Sequence, residues 1–168
     1  QFVGIFGAGV FTGTDAQGHL HISGGRTADV ISTSTGNAFL SGGRGIDSLQ
    51  VYGANNTITY SVGDGSDRVR TNGAGNVLTL SGSGTEDLTL TLGAARELVV
   101  QVGGNTTDRM TFEQFNAADV LSLKPLERIE WDDGSALSYD GLVGRGFDLA
   151  GSAGNDEIVG TSSMDRIS

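Results

Sequence analysis

The sequence predicts an all-β protein: a parallel β-roll of nonapeptide repeats with 18 residues per coil, then a small β-rich capping domain, then the start of a second β-roll. Three observations predict it. Large apolar residues recur every nine positions as Ile22, Ile31, Leu40, Leu49 and Ile58, and resume after a longer unit as Val69 and Leu78. Glycine-rich hexads separate them, and 28 glycines against one proline favour tightly turned β-structure over a Pro-rich linker. Apolar content is a modest 37%, so burial has to come from a narrow aliphatic ladder. Each apolar position centres a short strand and points inward. Two nonapeptides close one coil, and successive coils stack about 4.8 Å apart.

The elements follow in order. Residues 1–23 carry frequent glycines among Phe2, Ile5, Phe6, Val10, Phe11, Leu20 and Ile22, and read as degenerate first coils or a cap. His19 and His21 share one face of a short strand there. As a zinc pair they lack a third ligand, and a solvated strand face is the simpler reading. The next unit places Gly24, Gly25, Asp29 and Ile31 in register, with Thr27 where a third glycine belongs. Residues 33–41 keep Gly36 and Leu40 but hold Ala38 at the acidic place. Residues 42–50 fill every place with Gly42, Gly43, Gly45, Asp47 and Leu49. Residues 51–59 offer Asn56 and Ile58. The longer unit over 60–70 carries Asp64, Asp67 and Val69, and residues 71–79 return to nine with Asn76 and Leu78.

Parity divides these residues between two edges. Asp29, Asp47 and Asp67 fall on one edge; Leu20, Ala38, Asn56 and Asn76 fall on the other, which we expect to hold itself by Asn stacking and turn hydrogen bonds. Calcium–oxygen bonds are roughly 2.3–2.6 Å long, so carboxylates from adjacent coils have the spacing to hold one ion between them, with turn carbonyls completing the shell. As a simple alternative, each Asp closes its own turn.

From residue 80 the character changes. Leu88, Leu90 and Leu92 alternate on one strand and Leu98, Val100 and Val102 on the next, around a turn at residues 93–96. A strand follows near Met110–Phe112, a helical turn over 116–123, and a strand holding Leu126, Ile129 and Trp131. Asp132 and Asp133 are explained by a D-D-G-S turn more simply than by a catalytic pair. After a short link at 144–149, Gly151, Gly154, Asp156 and Ile158 are repeated nine residues later as Gly160, Asp165 and Ile167. Asp156 and Asp165 therefore sit on opposite edges of a second roll. We read the chain as a segment of a longer protein, organised as 1–79, 80–143 and 144–168.

Charge and composition narrow the function. The net charge of −10 argues against nucleic acid as a partner and suits divalent cations. No cysteine is present, so disulfides, Cys-ligated zinc and thiol catalysis are excluded. No run of apolar residues is long enough for a spanning helix.

Residues 42–50 match the G-G-x-G-x-D-x-U-x nonapeptide, and the chain resembles RTX proteins on that ground. Residues 80–143 resemble the haemolysin-type calcium-binding related domain that flanks RTX blocks, through Asp87, Leu88, Leu90, Leu98, Val100, Asp108, Met110, Thr111, Phe112, Glu127, Ile129, Trp131, Asp133, Gly134, Ser135 and Leu137; residues 94–97 depart from its usual G-x-D. The resemblance implies Ca2+ held by Gly25, Thr27, Asp29, Gly43, Gly45, Asp47, Asp64 and Asp67, with incomplete sites at Asp156 and Asp165. It further implies a non-catalytic module of a larger Gram-negative protein, a toxin or adhesin for example. Such a protein is exported by type I secretion, folds on calcium outside the cell, and packs against neighbouring domains of its own chain. The rival is a calcium-poor structural module, or a glycan- or partner-binding one on the 80–143 sheet, within an adhesin or a polysaccharide-modifying enzyme. Two histidines and one tryptophan with no convergent acid–base cluster argue against catalysis in this segment.

Overall fold

A computed structural model describes residues 3–6 and 9–168. The expectation for Phe2 lies outside the described residues. The strands are β1 (Val3–Phe6), β2 (Phe11–Thr14), β3 (Leu20–Ser23), β4 (Val30–Thr33), β5 (Phe39–Ser41), β6 (Ser48–Val51), β7 (Thr57–Ser61), β8 (Ser66–Thr71) and β9 (Val77–Ser81). They continue as β10 (Thr89–Leu92), β11 (Leu98–Gln101), β12 (Arg109–Phe112), β13 (Arg128–Trp131) and β14 (Ala136–Ser138). A short helix α1 (Tyr139–Val143) precedes β15 (Phe147–Leu149) and β16 (Asp165–Ile167). The fold is a β-roll of stacked parallel coils. No helix among the described residues is long and apolar enough to cross a membrane.

The nine-residue alternation sends successive strands to opposite walls. One seven-stranded sheet runs β1-β4-β6-β8-β12-β11-β10, and its partner runs β14-β13-β9-β7-β5-β3-β2. Val30 pairs with Ser48 and His21 with Phe39, an offset of 18 residues; past the longer unit, Ser48 pairs with Arg68 and Thr57 with Val77, an offset of 20. The added residues form the turn at 62–65, where Gly63 and Gly65 take φ of 98° and 108°. The apolar column Ile22, Ile31, Leu40, Leu49, Ile58, Val69 and Leu78 is fully buried. The strands run longer than the expected triplet, so a second inward column forms two residues on: Thr33, Val51, Tyr60, Thr71 and Leu80.

The sheets do not stop at residue 80. β12 pairs in parallel with β8, Phe112 against Val69, and β13 with β9, Ile129 against Leu78. Residues 109–131 thus supply one further coil, with long excursions where the turns were. The chain then reverses polarity: β11 and β10 add antiparallel to β12, and β14 adds antiparallel to β13. At the other end β1 and β2 also pair antiparallel, with β4 and β3. Reversal at both ends closes the parallel stack against further coils, one way of managing exposed edges. Tyr139 opens α1 instead of extending a strand, because Ser138 Oγ caps the Gly141 amide and the Tyr139 hydroxyl donates to Val120 O at 2.8 Å. The helical turn expected over 116–123 is a pair of linked turns, Asp119 N–H to Asn116 O and Ser122 N–H to Asp119 O.

The resumed repeat forms one coil. β15 and β16 pair in parallel, Phe147 against Asp165, again 18 residues apart. That coil is fastened to the cap. Arg96 donates to Val159 O at 2.8 Å and Gly160 O at 2.9 Å, Ser162 N–H donates to Ala117 O, and Ser163 Oγ donates to Val143 O. Phe147 and Leu149 are buried in the same core as the roll.

Candidate metal centre

Asp29, Asp47 and Asp67 form an internal column, exposed by only 1%, 1% and 2%. Each sits two residues before an inward apolar position, so the pleat turns it inward as well. Coil is tied to coil by the same bond each time. The Asp29 amide donates to Asp47 Oδ1 at 2.7 Å, and the Asp47 amide donates to Asp67 Oδ1 at 2.9 Å. Asp29 Oδ2 accepts from the Gly25 amide at 2.8 Å. Asp29 Oδ1 and Asp47 Oδ2 are buried with no hydrogen-bond partner.

The opposite edge is the same device in neutral form. Asn56 Oδ1 accepts from the Ala38 amide at 2.8 Å, and Asn76 Oδ1 from the Asn56 amide at 3.0 Å. Their Nδ2 groups donate to Gly53 O and Gly73 O, at 2.8 and 2.7 Å. Asn stacking with turn hydrogen bonds, expected on this edge, is what holds it. An amide offers a donor as well as an acceptor to the rung; a carboxylate offers acceptors alone, and in Asp29 and Asp47 one oxygen is left without a partner.

The electrostatics follow. Burial pushes the Asp67 carboxyl up to about 7 and Asp47 up to about 6, each opposed by the amide it accepts from and reinforced by its acidic neighbours. Asp64, whose Oδ2 accepts from the Ser61 amide, is also raised, mainly by burial, with Asp108 adding repulsion and Arg44 opposing it. Among the described residues no Lys, Arg or His forms an ion pair with Asp29, Asp47 or Asp67.

The turn residues hold the coils close enough for this. Gly45 bridges in parallel to Gly65, and its amide donates to Asp64 O at 2.7 Å. A Cβ on Gly45, at φ 147°, would lie 2.8 Å from the Thr27 carbonyl carbon, and one on Gly43 would lie 2.3 Å from Gly25 O. Gly25 O accepts from the Arg44 amide.

Asp156 and Asp165 are placed differently. Asp156 is exposed and caps the Ser152 amide and hydroxyl; Asp165 caps Thr161 in the same way. Asp108 joins the acidic edge without having been expected there. It is 6% exposed, accepts from the Gly65 amide at 3.3 Å, and carries the edge into the cap. Its signal was an Asp four residues before the inward Phe112, the place Gly65 holds relative to Val69. The Tyr60 hydroxyl, which donates to Gly65 O at 2.5 Å, gave no sequence signal at all. His19 Nδ1 and His21 Nε2 both meet Asp15 Oδ2, at 3.0 and 3.2 Å. Despite some desolvation, bonds from the His19 amide, both imidazoles and the Gln17 amide hold Asp15 below the usual carboxylate range. Asp133 accepts from the Ser135 amide within its turn, whereas Asp132 reaches across to the neighbouring coil and accepts from Ser81 Oγ.

A hard cation fits this donor set. The available atoms are carboxylate and carbonyl oxygens, and two buried carboxylate oxygens have no partner. Among the described residues no group of three or more His, Asp or Glu side chains is arranged to hold a metal ion by itself, so carbonyls would have to supply most of the shell. No protein-family model, curated protein or solved structure matches this chain.

Proposed function

We propose that the roll is a non-catalytic, calcium-responsive folding module. The observation that carries this reading is the buried column Asp29–Asp47–Asp67, which forms no ion pair with a Lys, Arg or His among the described residues and holds two orphaned oxygens. Asp29, Asp47 and the Gly25, Thr27, Gly43 and Gly45 turns would hold the ion; Asp64 and Asp67 would extend the site along the edge. Calcium supplies the positive charge that the stacked carboxylates lack. Without it, carboxylate repulsion and the conformational freedom of glycine-rich turns both favour the unfolded chain. Extracellular modules bind calcium at about 10⁻⁴–10⁻³ M, so mass action favours the fold outside a cell and the threadable chain inside it. That logic suits an RTX segment of a larger protein leaving a Gram-negative bacterium by type I secretion.

A second reading has its own support. The Asn56–Asn76 edge stacks by the same amide-to-side-chain bond through neutral side chains. If protonation keeps the acidic edge neutral, the roll is a calcium-poor structural spacer. Far-UV circular dichroism and thermal melting in EDTA, then with calcium raised to about 10 mM, distinguish the two. The calcium reading expects a rise in structure and melting temperature that Asp47→Asn abolishes. An unchanged melt at alkaline pH would overturn it.

A further inference from the structure

The outer face of the β2–β14 sheet is unlike the rest of the surface. Parallel pairing aligns Ser23, Ser41, Thr59 and Thr79 in one row and His21, Phe39, Thr57 and Val77 in the next. Adjacent rungs are about 4.7–4.9 Å apart. Among the described residues, the hydroxyls of Ser41, Thr57, Thr59 and Thr79 have no hydrogen-bond partner. Neither row contains a carboxylate, Lys or Arg, although the chain carries a net charge of −10. Charge returns only at the ends, with Asp15 on one side and the Arg128–Glu130 pair on the other. The opposite wall, by contrast, presents Arg68 paired with Glu97 and Glu113.

One end of this strip is aromatic. The His21 and Phe39 rings stack at 4.6 Å with 12° between their planes, and Phe39 remains 37% exposed. Phe11, beside Ser23 in the register, is 71% exposed. A groove of about 180 Å³ runs between His21, Ser23, Phe39, Ser41 and Thr59.

We propose that this face binds an extended neutral polysaccharide lying along the roll axis. An aromatic face carries negative quadrupole charge and attracts the polarised C–H face of a sugar ring. Free hydroxyls in a straight row exchange hydrogen bonds with sugar hydroxyls without leaving a charge unpaired. Repetition at a fixed rung spacing favours a polymer, because each further ring engages at high effective concentration. A second copy of the chain fits less well, since the strip lacks the apolar centre of a protein interface. Nucleic acid is repelled by the overall charge. The two rows draw their residues from 21–79, no row residue is among the proposed calcium ligands, and the proposal stands apart from the calcium reading.

His19 and His21 are the chain's two histidines, so their imidazole NMR signals report on the site directly. The full chain is titrated with gluco-, manno- and chito-oligosaccharides, with calcium present, at about 0.15 M salt. We expect saturable shifts at His21, little changed by further salt. Binding becomes about tenfold weaker in Phe39→Ala, the order of one aromatic stack. Thr59→Asp, which leaves the rings in place, also weakens it. Dichroism confirms that both variants fold. The proposal is overturned by no shift with any neutral sugar, by shifts indifferent to both substitutions, or by shifts produced only by an acidic polymer and lost in salt. Self-association that covers His21 would overturn it as well.

Discussion

Replacing Asp47 by Asn should stabilise the metal-free roll at alkaline pH. Asp47 Oδ1 accepts from the Asp29 amide as Asn56 Oδ1 accepts from Ala38, so the rung survives. The orphaned Oδ2 becomes an amide with a proton to donate, as Asn56 Nδ2 donates to Gly53 O in its own turn. Raising the carboxyl from 3.8 to about 6 costs the folded, ionised state about 3 kcal/mol, at 1.36 kcal/mol per pKa unit. For a chain of this size that is a rise in Tm of about 6–12 °C. The sign depends on pH. A carboxyl raised on folding contributes its stability below 3.8, where both states are protonated. That contribution is lost as pH climbs through about 6. The gain from Asp47→Asn should therefore be large near pH 8 and small near pH 4. Calorimetric melts in EDTA at both pH values read it, and the same melts in calcium should show the variant's response gone. A variant destabilised near pH 8, or stabilised equally at both pH values, would refute the reasoning that the column is an uncompensated charge.

The reciprocal swap, Asn76→Asp, should destabilise near pH 8 and recover in acid, by equilibrium urea unfolding at each pH. Gly45→Ala should lose about 2 kcal/mol or more, because φ of 147° and a Cβ 2.8 Å from the Thr27 backbone strain both coils; the same measurement reads it. Leu49→Ala, deep in the buried column, should cost about 2–5 kcal/mol. Arg96→Ala should release the terminal coil, seen as faster proteolysis over residues 150–165 with the main melting transition unmoved; loss of that transition would mean the coil is integral to the roll.

The roll was legible because its causes are local and repeated. A nine-residue period places Ile31, Leu49 and Val69 on one wall and Leu40, Ile58 and Leu78 on the other, and the same parity sorts Asp29 and Asp47 from Asn56 and Asn76. The hairpin of β10 and β11 was legible for a similar reason, alternation on either side of a glycine turn. What the period could not carry is where pairing jumps. β12 joins β8 across 43 residues and β13 joins β9 across 51, and no repeat survives such excursions to announce them. Asp108 entered the acidic edge by that route, and Arg96, in the turn that departs from the related-domain pattern, became the clasp for the second repeat block. The chain's own order thus determines the coils, their alternation between two walls, and which residue types face inward. Only the folded molecule decides which carboxylate oxygens are left without a donor, which hydroxyls lie free in a row, and how the stack is closed. Those depend on atoms brought together from distant coils, and sequence periodicity fixes a residue's face without fixing its partners.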